Sequence, residues 1–192
     1  MEIEPNSRPV EIKIEDFFTK VLSVIGRTTD LQLSALLKSG HHTVAVAESI
    51  TAGMVCSRLA NVPGSTEYFL GGIVAYHNRI KVTEVGVPAA LISKHGAASK
   101  EVAISMAENI RKKFKSEIGL SVTGLAGPRG EDGLLPGKVF IALSSNRGVE
   151  FKELNLQGTR NEIRKKSAQA CLGMLWLFLG GDEIISSVKS QQ

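Results

Sequence analysis

Three polar residues of this chain, Ser49, Tyr76 and Lys81, follow apolar runs at positions that suit the cleavage of an amide. Ser49 follows the run 44–47, at a predicted strand-to-helix corner, and Tyr76 and Lys81 follow the run 69–75. A serine hydroxyl becomes a good nucleophile when a nearby base takes its proton, and an uncharged lysine amine is one of the few side chains that can do so. The spacing therefore suggests a Ser-Lys-Tyr hydrolytic site.

The same three residues also fit purely structural roles. Ser49 could cap the helix that follows it, because a serine oxygen at that position accepts a backbone N–H. Lys81 could be a solvated helix lysine, and Tyr76 a half-buried aromatic residue at a strand end. Spacing alone leaves both interpretations open.

Two further features could contact a ligand. The Gly- and Pro-rich stretch 124–137 would let the backbone approach a ligand closely, although such a stretch is also typical of an ordinary strand connection. Basic residues cluster in the segments 111–115 and 160–166. Basic clusters are usually solvated helix faces, but they also attract the phosphate of a nucleotide or of a nucleic acid.

The hydrophobic periodicity predicts strands that alternate with helices. Strands are predicted at 43–47, 68–75, 118–122, 139–144 and 149–156, and helices at 14–37, 51–60, 78–85, 88–93, 99–115 and 161–179. This alternation predicts an α/β fold, a three-layer α/β/α sandwich with a mixed, mostly parallel sheet of about five strands and an antiparallel late hairpin. Ligands bind at the carboxyl ends of strands in such sheets, where Ser49, Tyr76 and Thr123-Gly124 are expected.

Length and composition indicate one globular domain with short extensions. The chain has 192 residues, of which 43% are hydrophobic and 22% charged. We expect a partly helical N-terminal extension over 1–30, the domain over 31–182 and a flexible tail over 183–192. Aromatic residues make up only 5%, which argues against a platform for stacking nucleic-acid bases. The chain has neither a signal-peptide pattern nor a membrane-spanning apolar run, which predicts a cytoplasmic protein without a membrane partner.

The segment Ala47-Glu48-Ser49-Ile50-Thr51-Ala52-Gly53 resembles the A-E-S-C-T-G-G signature of the CinA C-terminal domain family, the nicotinamide-nucleotide amidases. The resemblance covers about residues 30–180 in one collinear series of motifs. The other matching segments are 62–65, 68–72, 75–78 with Lys81, 95–97 with Ser99, 123–128, and 158–160 with Arg164.

This resemblance implies the same fold and a deamidation of nicotinamide mononucleotide to nicotinic acid mononucleotide and ammonia. Ser49 would attack the amide carbon, Lys81 would act as general base, and Tyr76 would orient the pair or relay a proton. Lys81 must be uncharged for this role, so it needs burial or a cationic neighbour. The N–H groups of Ile50 and Thr51 are natural donors to the oxyanion.

The resemblance also implies the substrate contacts and partners. The loop that holds Thr123, Gly124, Ala126 and Gly127 would contact the substrate, together with Ile50, Thr51 and Gly53. Arg160 and Arg164 would bind the phosphate, because a planar guanidinium can donate two hydrogen bonds to it. The only expected ligand is the small nucleotide substrate, with no cofactor and no metal. A homodimer or higher homo-oligomer is expected.

Three departures from the family pattern leave alternatives open. Ile50 stands where the family has cysteine, Ala52 stands where it has glycine, and the segment 129–133 carries charges where the family is mostly glycine. If position 52 has a positive φ, its methyl group could weaken binding or activity. The alternatives are a catalytically silent nucleotide-binding module or a regulatory module related to competence or damage. Binding to nucleic acid is disfavoured because no DNA- or RNA-binding motif is present.

Overall fold

The computed structural model describes residues 27–128 and 134–181. The predictions for residues 1–26, for the charged segment 129–133 and for the tail after residue 181 lie outside these ranges. The elements are α1 (Arg27–Ser39), β1 (Val44–Glu48), α2 (Met54–Ala60), β2 (Phe69–Val74), α3 (Asn78–Thr83), α4 (Ala89–His95), α5 (Lys100–Phe114), β3 (Ile118–Gly124), β4 (Lys138–Ser145), β5 (Gly148–Asn155) and α6 (Arg160–Phe178).

The five strands form one mixed sheet in the order β2-β1-β3-β4-β5. β1 is parallel to both β2 and β3, whereas β4 is antiparallel to both β3 and β5. Every strand except β4 therefore runs in the same direction, and the prediction of a mixed, mostly parallel sheet is confirmed. The antiparallel part is larger than predicted, since it includes the β3–β4 pair as well as the late hairpin.

Helices cover both faces of the sheet, as the three-layer prediction requires. All residues of β1 are buried, and their side chains alternate between two apolar clusters. Val44 and Val46 pack in the cluster that includes residues of α1, α2 and α6, whereas Ala45 and Ala47 pack with residues of α5. Burial on both faces explains why β1 reads as a continuous apolar run.

The two long helices begin at defined caps. The Ser99 side chain accepts the Val102 N–H at 3.3 Å and starts α5. Thr159 and Glu162 form a capping box at the start of α6, each side chain accepting the backbone N–H of the other. These caps fix where the two helices start, and the residues next to both starts reach the site described below. No helix within the two described ranges combines the length and apolarity that a membrane span requires.

Helix α2 begins three residues later than predicted, at Met54 instead of Thr51. The cause is the backbone between them, because Ala52 and Gly53 have φ values of +49° and +96°. These values lie in the left-handed region, which cannot continue a right-handed helix. Residues 49–53 therefore form a turn, which we call the corner, between the end of β1 and the start of α2.

Candidate active site

The corner is fixed to the strands on both sides of β1. The Ser49 N–H donates to Val122 O at 2.9 Å, and the Ala75 N–H donates to Glu48 O at 2.6 Å. Ser49 is 7% exposed and lines a cavity at the carboxyl end of the parallel strands. The predicted strand-end position of this serine is therefore correct.

The Glu48 side chain stabilises the corner from inside the protein. Its carboxylate is fully buried and accepts three backbone N–H groups, from Gly53 at 2.9 Å, Val55 at 3.1 Å and Cys56 at 2.7 Å. These donors belong to the first turn of α2, whose N–H groups have no partner within the helix. A negative charge is also favoured at a helix start by the helix dipole. These hydrogen bonds hold Glu48 in place, and with it the start of the corner at Ser49.

The same carboxylate influences the two cysteines, which are free thiols. Burial, followed by the negative charge of Glu48 and a hydrogen bond to it, raises the pKa of the Cys56 thiol far above its usual range. Burial and then the charge of Glu48 raise the pKa of the Cys171 thiol in the same direction. Both pKa shifts favour the protonated thiols, which are poorer nucleophiles than thiolates.

Lys81 lies on α3 and lines the same cavity as Ser49. It is 2% exposed, and its Nζ donates to Asn78 Oδ1 at 3.3 Å. Asn78 stands three residues earlier on the same helix, where side chains are neighbours. His77 caps this helix, because its Nδ1 accepts the Arg79 N–H at 3.1 Å. The Lys81 amine is thus placed inside the protein next to the cavity, rather than in solvent as a typical surface lysine would be.

Tyr76 lies at the mouth of the cavity and is bound to the start of α6. It is 54% exposed, and its hydroxyl oxygen accepts from Arg160 Nη2 at 2.5 Å. Arg160 Nη1 donates to Gly127 O at 2.6 Å. One guanidinium therefore links the end of β2, the loop after β3 and the first residue of α6.

The loop after β3 forms another wall of the cavity. The Thr123 hydroxyl donates to Ala97 O at 2.9 Å, which joins β3 to the segment before α5. At Gly124 an added Cβ would lie 2.6 Å from Lys138 O, so a side chain is excluded by the neighbouring strand. The glycine at this position therefore allows the two strands to pack closely where the cavity begins.

The cavity has a volume of about 580 Å³, within the range of sites for small ligands. Its predicted members are Ser49, Ile50, Tyr76, Lys81, Thr123, Gly124, Ala126, Gly127 and Arg160. Three segments that are distant in sequence thus converge on one edge of the sheet, as predicted. Among the described lining residues there is no Asp or Glu, whereas Arg160 supplies a cationic guanidinium. The cavity therefore favours an anionic ligand.

Three predicted site residues do not line the cavity. Thr51 is fully buried, Gly53 donates its N–H to Glu48, and Arg164 contacts the backbone of the corner. Arg164 Nε donates to Ile50 O at 3.1 Å, and Nη2 donates to Thr51 O at 3.2 Å. The two arginines predicted to act together therefore have different surroundings.

Sequence reasoning missed several residues of the site. Glu48 was part of the quoted signature without an assigned role. The contact between Asn78 and Lys81 could have been predicted from their spacing of three residues, since both lie on one short helix. Leu125 and Pro128 lie in the loop expected to contact the substrate, and the other lining residues that were not predicted are His77, Ala97, Ala98 and Leu134. Within residues 27–128 and 134–181 no group of His, Cys, Asp or Glu side chains could hold a metal ion.

The fold and the site define a three-layer α/β/α domain with a ligand cavity at the carboxyl ends of its parallel strands. The chain matches the model of the CinA C-terminal domain over residues 27–179, and it belongs to that family.

Relatives and a solved structure agree with this membership. The chain is 45% identical over 146 residues to a CinA-like protein of Desulfotalea psychrophila, covering 76% of this chain and 35% of that protein. A CinA-like protein of Dictyoglomus thermophilum is 45% identical over 130 residues, covering 67% of this chain and 32% of that protein. The chain therefore spans about a third of the length of these relatives. The crystal structure of the competence/damage inducible protein CihA from Agrobacterium tumefaciens has a TM-score of 0.76 at 28% identity, covering 80% of this chain and 94% of that one.

The left-handed backbone of Ala52 leads to a stability prediction. Alanine in this region is strained by roughly 1–2 kcal/mol, and the extra freedom of glycine in the unfolded chain offsets about 0.4–1 kcal/mol of any gain. We therefore expect Ala52→Gly to raise the free energy of unfolding by about 0.5–1 kcal/mol in denaturant titrations. Ala90→Gly, at an exposed position of the regular helix α4, is the matched control and should lower it by a similar amount. A loss of stability on Ala52→Gly would contradict the assigned strain.

The buried carboxylate of Glu48 leads to a second prediction. A glutamine at this position keeps the shape but offers one acceptor oxygen, and its NH₂ group would face a backbone N–H. We expect Glu48→Gln to lower the free energy of unfolding by about 2–3 kcal/mol, since hydrogen bonds to charged groups are strong. Glu150→Gln, at an exposed position of β5, is the control and should change little. Equal stability of Glu48→Gln and the unchanged protein in denaturant titrations would show that these contacts contribute little.

Proposed function

We propose that this chain is an amidohydrolase that converts nicotinamide mononucleotide and water to nicotinic acid mononucleotide and ammonia. The observation that supports this most directly is the shared cavity, which brings Ser49 and the buried amine of Lys81 together with Tyr76. The membership in the CinA C-terminal domain family agrees with it. The reaction would serve the recycling of pyridine nucleotides.

In the first half of the reaction, Ser49 Oγ attacks the carboxamide carbon while the uncharged Lys81 amine takes the hydroxyl proton. The carbonyl oxygen becomes an oxyanion, and the N–H groups of Ile50 and Thr51 are the proposed donors to it. The C–N bond then breaks, and the nitrogen takes the proton from Lys81 through the Tyr76 hydroxyl, so that ammonia leaves. The acyl group remains on Ser49 as an ester.

In the second half, a water molecule attacks the ester carbon as Lys81 accepts one of its protons. The ester bond breaks, and the proton returns to Ser49 Oγ. The product is a carboxylic acid, and Ser49 and Lys81 are restored to their starting forms. This sequence uses Ser49, Lys81, Tyr76, the N–H groups of the corner and one water molecule for each turnover.

The charge of the cavity supports a phosphorylated substrate. Arg160 lies at the start of α6 and lines the cavity, where it can meet the 5′-phosphate of a mononucleotide. The glycines of the loop after β3 would allow the ribose phosphate to approach the backbone closely. Ile50 lines the cavity in place of the family cysteine, whereas the described lining residues do not include Ala52. The Ala52 substitution therefore gives little support to a silent module, since it does not narrow the cavity.

The proposed pair of Ser49 and Lys81 leads to a kinetic prediction. Ser49→Ala and Lys81→Ala should each lower kcat for ammonia release by on the order of a thousandfold or more, because each removes a partner of the same proton transfer. The double variant should be hardly slower than either single variant, since residues that act as one unit are not additive.

Matched controls are available on the neighbouring helices. Ser57→Ala on α2 and Lys94→Ala on α4 change exposed residues of the same two types and should leave kcat within about twofold. Ammonia release near the unchanged rate in Ser49→Ala would reject the mechanism. Absence of ammonia release from the unchanged protein would favour the silent or regulatory alternative.

Phosphate recognition leads to a further prediction. If Arg160 binds the phosphate, nicotinamide riboside should have a kcat/KM about 30- to 150-fold below that of the mononucleotide, which corresponds to about 2–3 kcal/mol. Arg160→Ala should remove most of this difference between the two substrates. Lys165→Ala, which removes an exposed charge from the same helix, should preserve it. Equal kcat/KM values for both substrates in the unchanged protein would exclude a phosphate contact.

A further inference from the structure

We propose that Arg164 is a positioning residue that holds the corner so that the Ile50 and Thr51 N–H groups can bind an oxyanion. This inference rests on the proposed role of Ser49 as a nucleophile. It assigns Arg164 a different task from the phosphate contact that the resemblance implied.

The contacts of Arg164 are with the backbone of the corner. Its Nε and Nη2 atoms donate to two successive carbonyl oxygens, those of Ile50 and Thr51, at 3.1 and 3.2 Å. The side chain is half-buried and is absent from the described lining of the cavity. A guanidinium suits this geometry, because its planar fork presents parallel donors to two acceptors.

Because the peptide unit is planar and trans, the position of a carbonyl oxygen determines the direction of the N–H group in the same unit. The N–H and C=O of one peptide unit point in opposite directions. Arg164 holds Ile50 O, so the Thr51 N–H of the same unit is directed away from Arg164. Ser49 O accepts the Ala52 N–H at 3.1 Å, so the Ile50 N–H is directed away from Ala52.

Neither N–H group is used by an acceptor within the described part of the protein, and Ile50 lines the cavity whereas Thr51 lies directly after it in the chain. Among the hydrogen bonds of the described residues, neither the Ile50 nor the Thr51 N–H donates to another protein group, although Ile50 is only 4% exposed and Thr51 is fully buried. Unpaired N–H groups in such surroundings are rare. Two of them directly after a nucleophile match the requirements of an oxyanion site, whose donors must be fixed before the charge develops.

The corner has only two turn hydrogen bonds of its own, from the Ala52 N–H to Ser49 O at 3.1 Å and from the Met54 N–H to Thr51 O at 3.3 Å, and neither of them binds Ile50 O. Ala52 and Gly53 are in the left-handed region, and α2 begins only at Met54. Glu48 binds N–H groups from Gly53 onward, which leaves the Ile50–Thr51 peptide to be fixed by Arg164. Loss of Arg164 should therefore allow this peptide to rotate. The N–H groups of Ile50 and Thr51 would then stabilise an oxyanion less well.

The test measures two reactions of Ser49 in Arg164→Ala, Arg164→Lys and the control Lys165→Ala. The first is ammonia release from nicotinamide mononucleotide. The second is the rate of labelling by diisopropyl fluorophosphate, in which Ser49 Oγ displaces fluoride from phosphorus and loses its proton to Lys81. The second reaction involves no nicotinamide substrate, so it tests the corner even if the proposed substrate is wrong.

For Arg164→Ala we expect kcat and the labelling rate to fall by roughly ten- to a hundredfold, because donors of an oxyanion site are worth up to about 10²–10³ each. KM should stay within about twofold, and the ratio of kcat/KM between mononucleotide and riboside should be unchanged. Arg164→Lys should be intermediate, since one amine can reach only one carbonyl. Millimolar guanidinium ion should partly restore the rate of Arg164→Ala, whereas ammonium ion should not.

The other possible results would each contradict the positioning role of Arg164, the proposed substrate, or both. A rise in KM confined to the phosphorylated substrate, with the labelling rate unchanged, would overturn the positioning role in favour of a phosphate contact. If Arg164→Ala does not fold, an Arg164→Lys variant with the full rate in both reactions would overturn it equally. Normal labelling of the unchanged protein without ammonia release would reject the proposed substrate alone. A protein that is neither labelled nor active would overturn both proposals.

Discussion

The buried carboxylate of Glu48 is the interaction on which the geometry of the site depends. Its oxygens accept three N–H groups at the start of α2, within a sheet and helix interior that excludes water. A charge in such a place is tolerated only when hydrogen bonds replace its hydration. Because Glu48 ends β1 and Ser49 follows it directly, the contacts that satisfy this charge also determine where the chain must turn. The position of Ser49 is thus set by the hydrogen bonds that the buried Glu48 carboxylate needs.

The surrounding elements complete what this turn begins. Two parallel neighbours hold β1 and Ser49 in register, and the segments after β2 and β3 bring Tyr76, Lys81 and the glycine-containing loop to the same edge. The final helix then contributes two arginines one turn apart. Arg160 donates to the Tyr76 hydroxyl at the mouth of the cavity, and Arg164 donates to Ile50 O in the corner. A single helix therefore contacts the site at two places, although it is the last of the described elements in sequence.

The layers of the fold and the edge that carries the site could be predicted from the sequence, because both depend on local periodicity. The apolar run of β1 indicates a strand by itself, and Val102, Met106 and Ile110, spaced four residues apart on α5, indicate a helix by themselves. The late start of α2 could not be predicted in this way. Alanine normally favours a helix, and only the tertiary contacts of the corner force Ala52 to a positive φ. The role of Arg164 was equally hidden, since its acceptors are backbone atoms more than a hundred positions earlier in the chain.

The hydrogen bonds from Arg160 to Tyr76 and Gly127 restrict the orientation of its guanidinium at the mouth of the cavity, which affects how the guanidinium could bind an anion. A free surface arginine loses side-chain entropy when it closes on a ligand, and this loss weakens binding. Here two hydrogen bonds have already restricted the guanidinium during folding. An anion that reached Arg160 would meet a donor of defined orientation, which it would share with the Tyr76 hydroxyl oxygen and the Gly127 carbonyl. This arrangement would lower the affinity for anions in general but raise the selectivity. Only an anion placed to accept from the N–H groups of Arg160 that Tyr76 and Gly127 do not use would be bound.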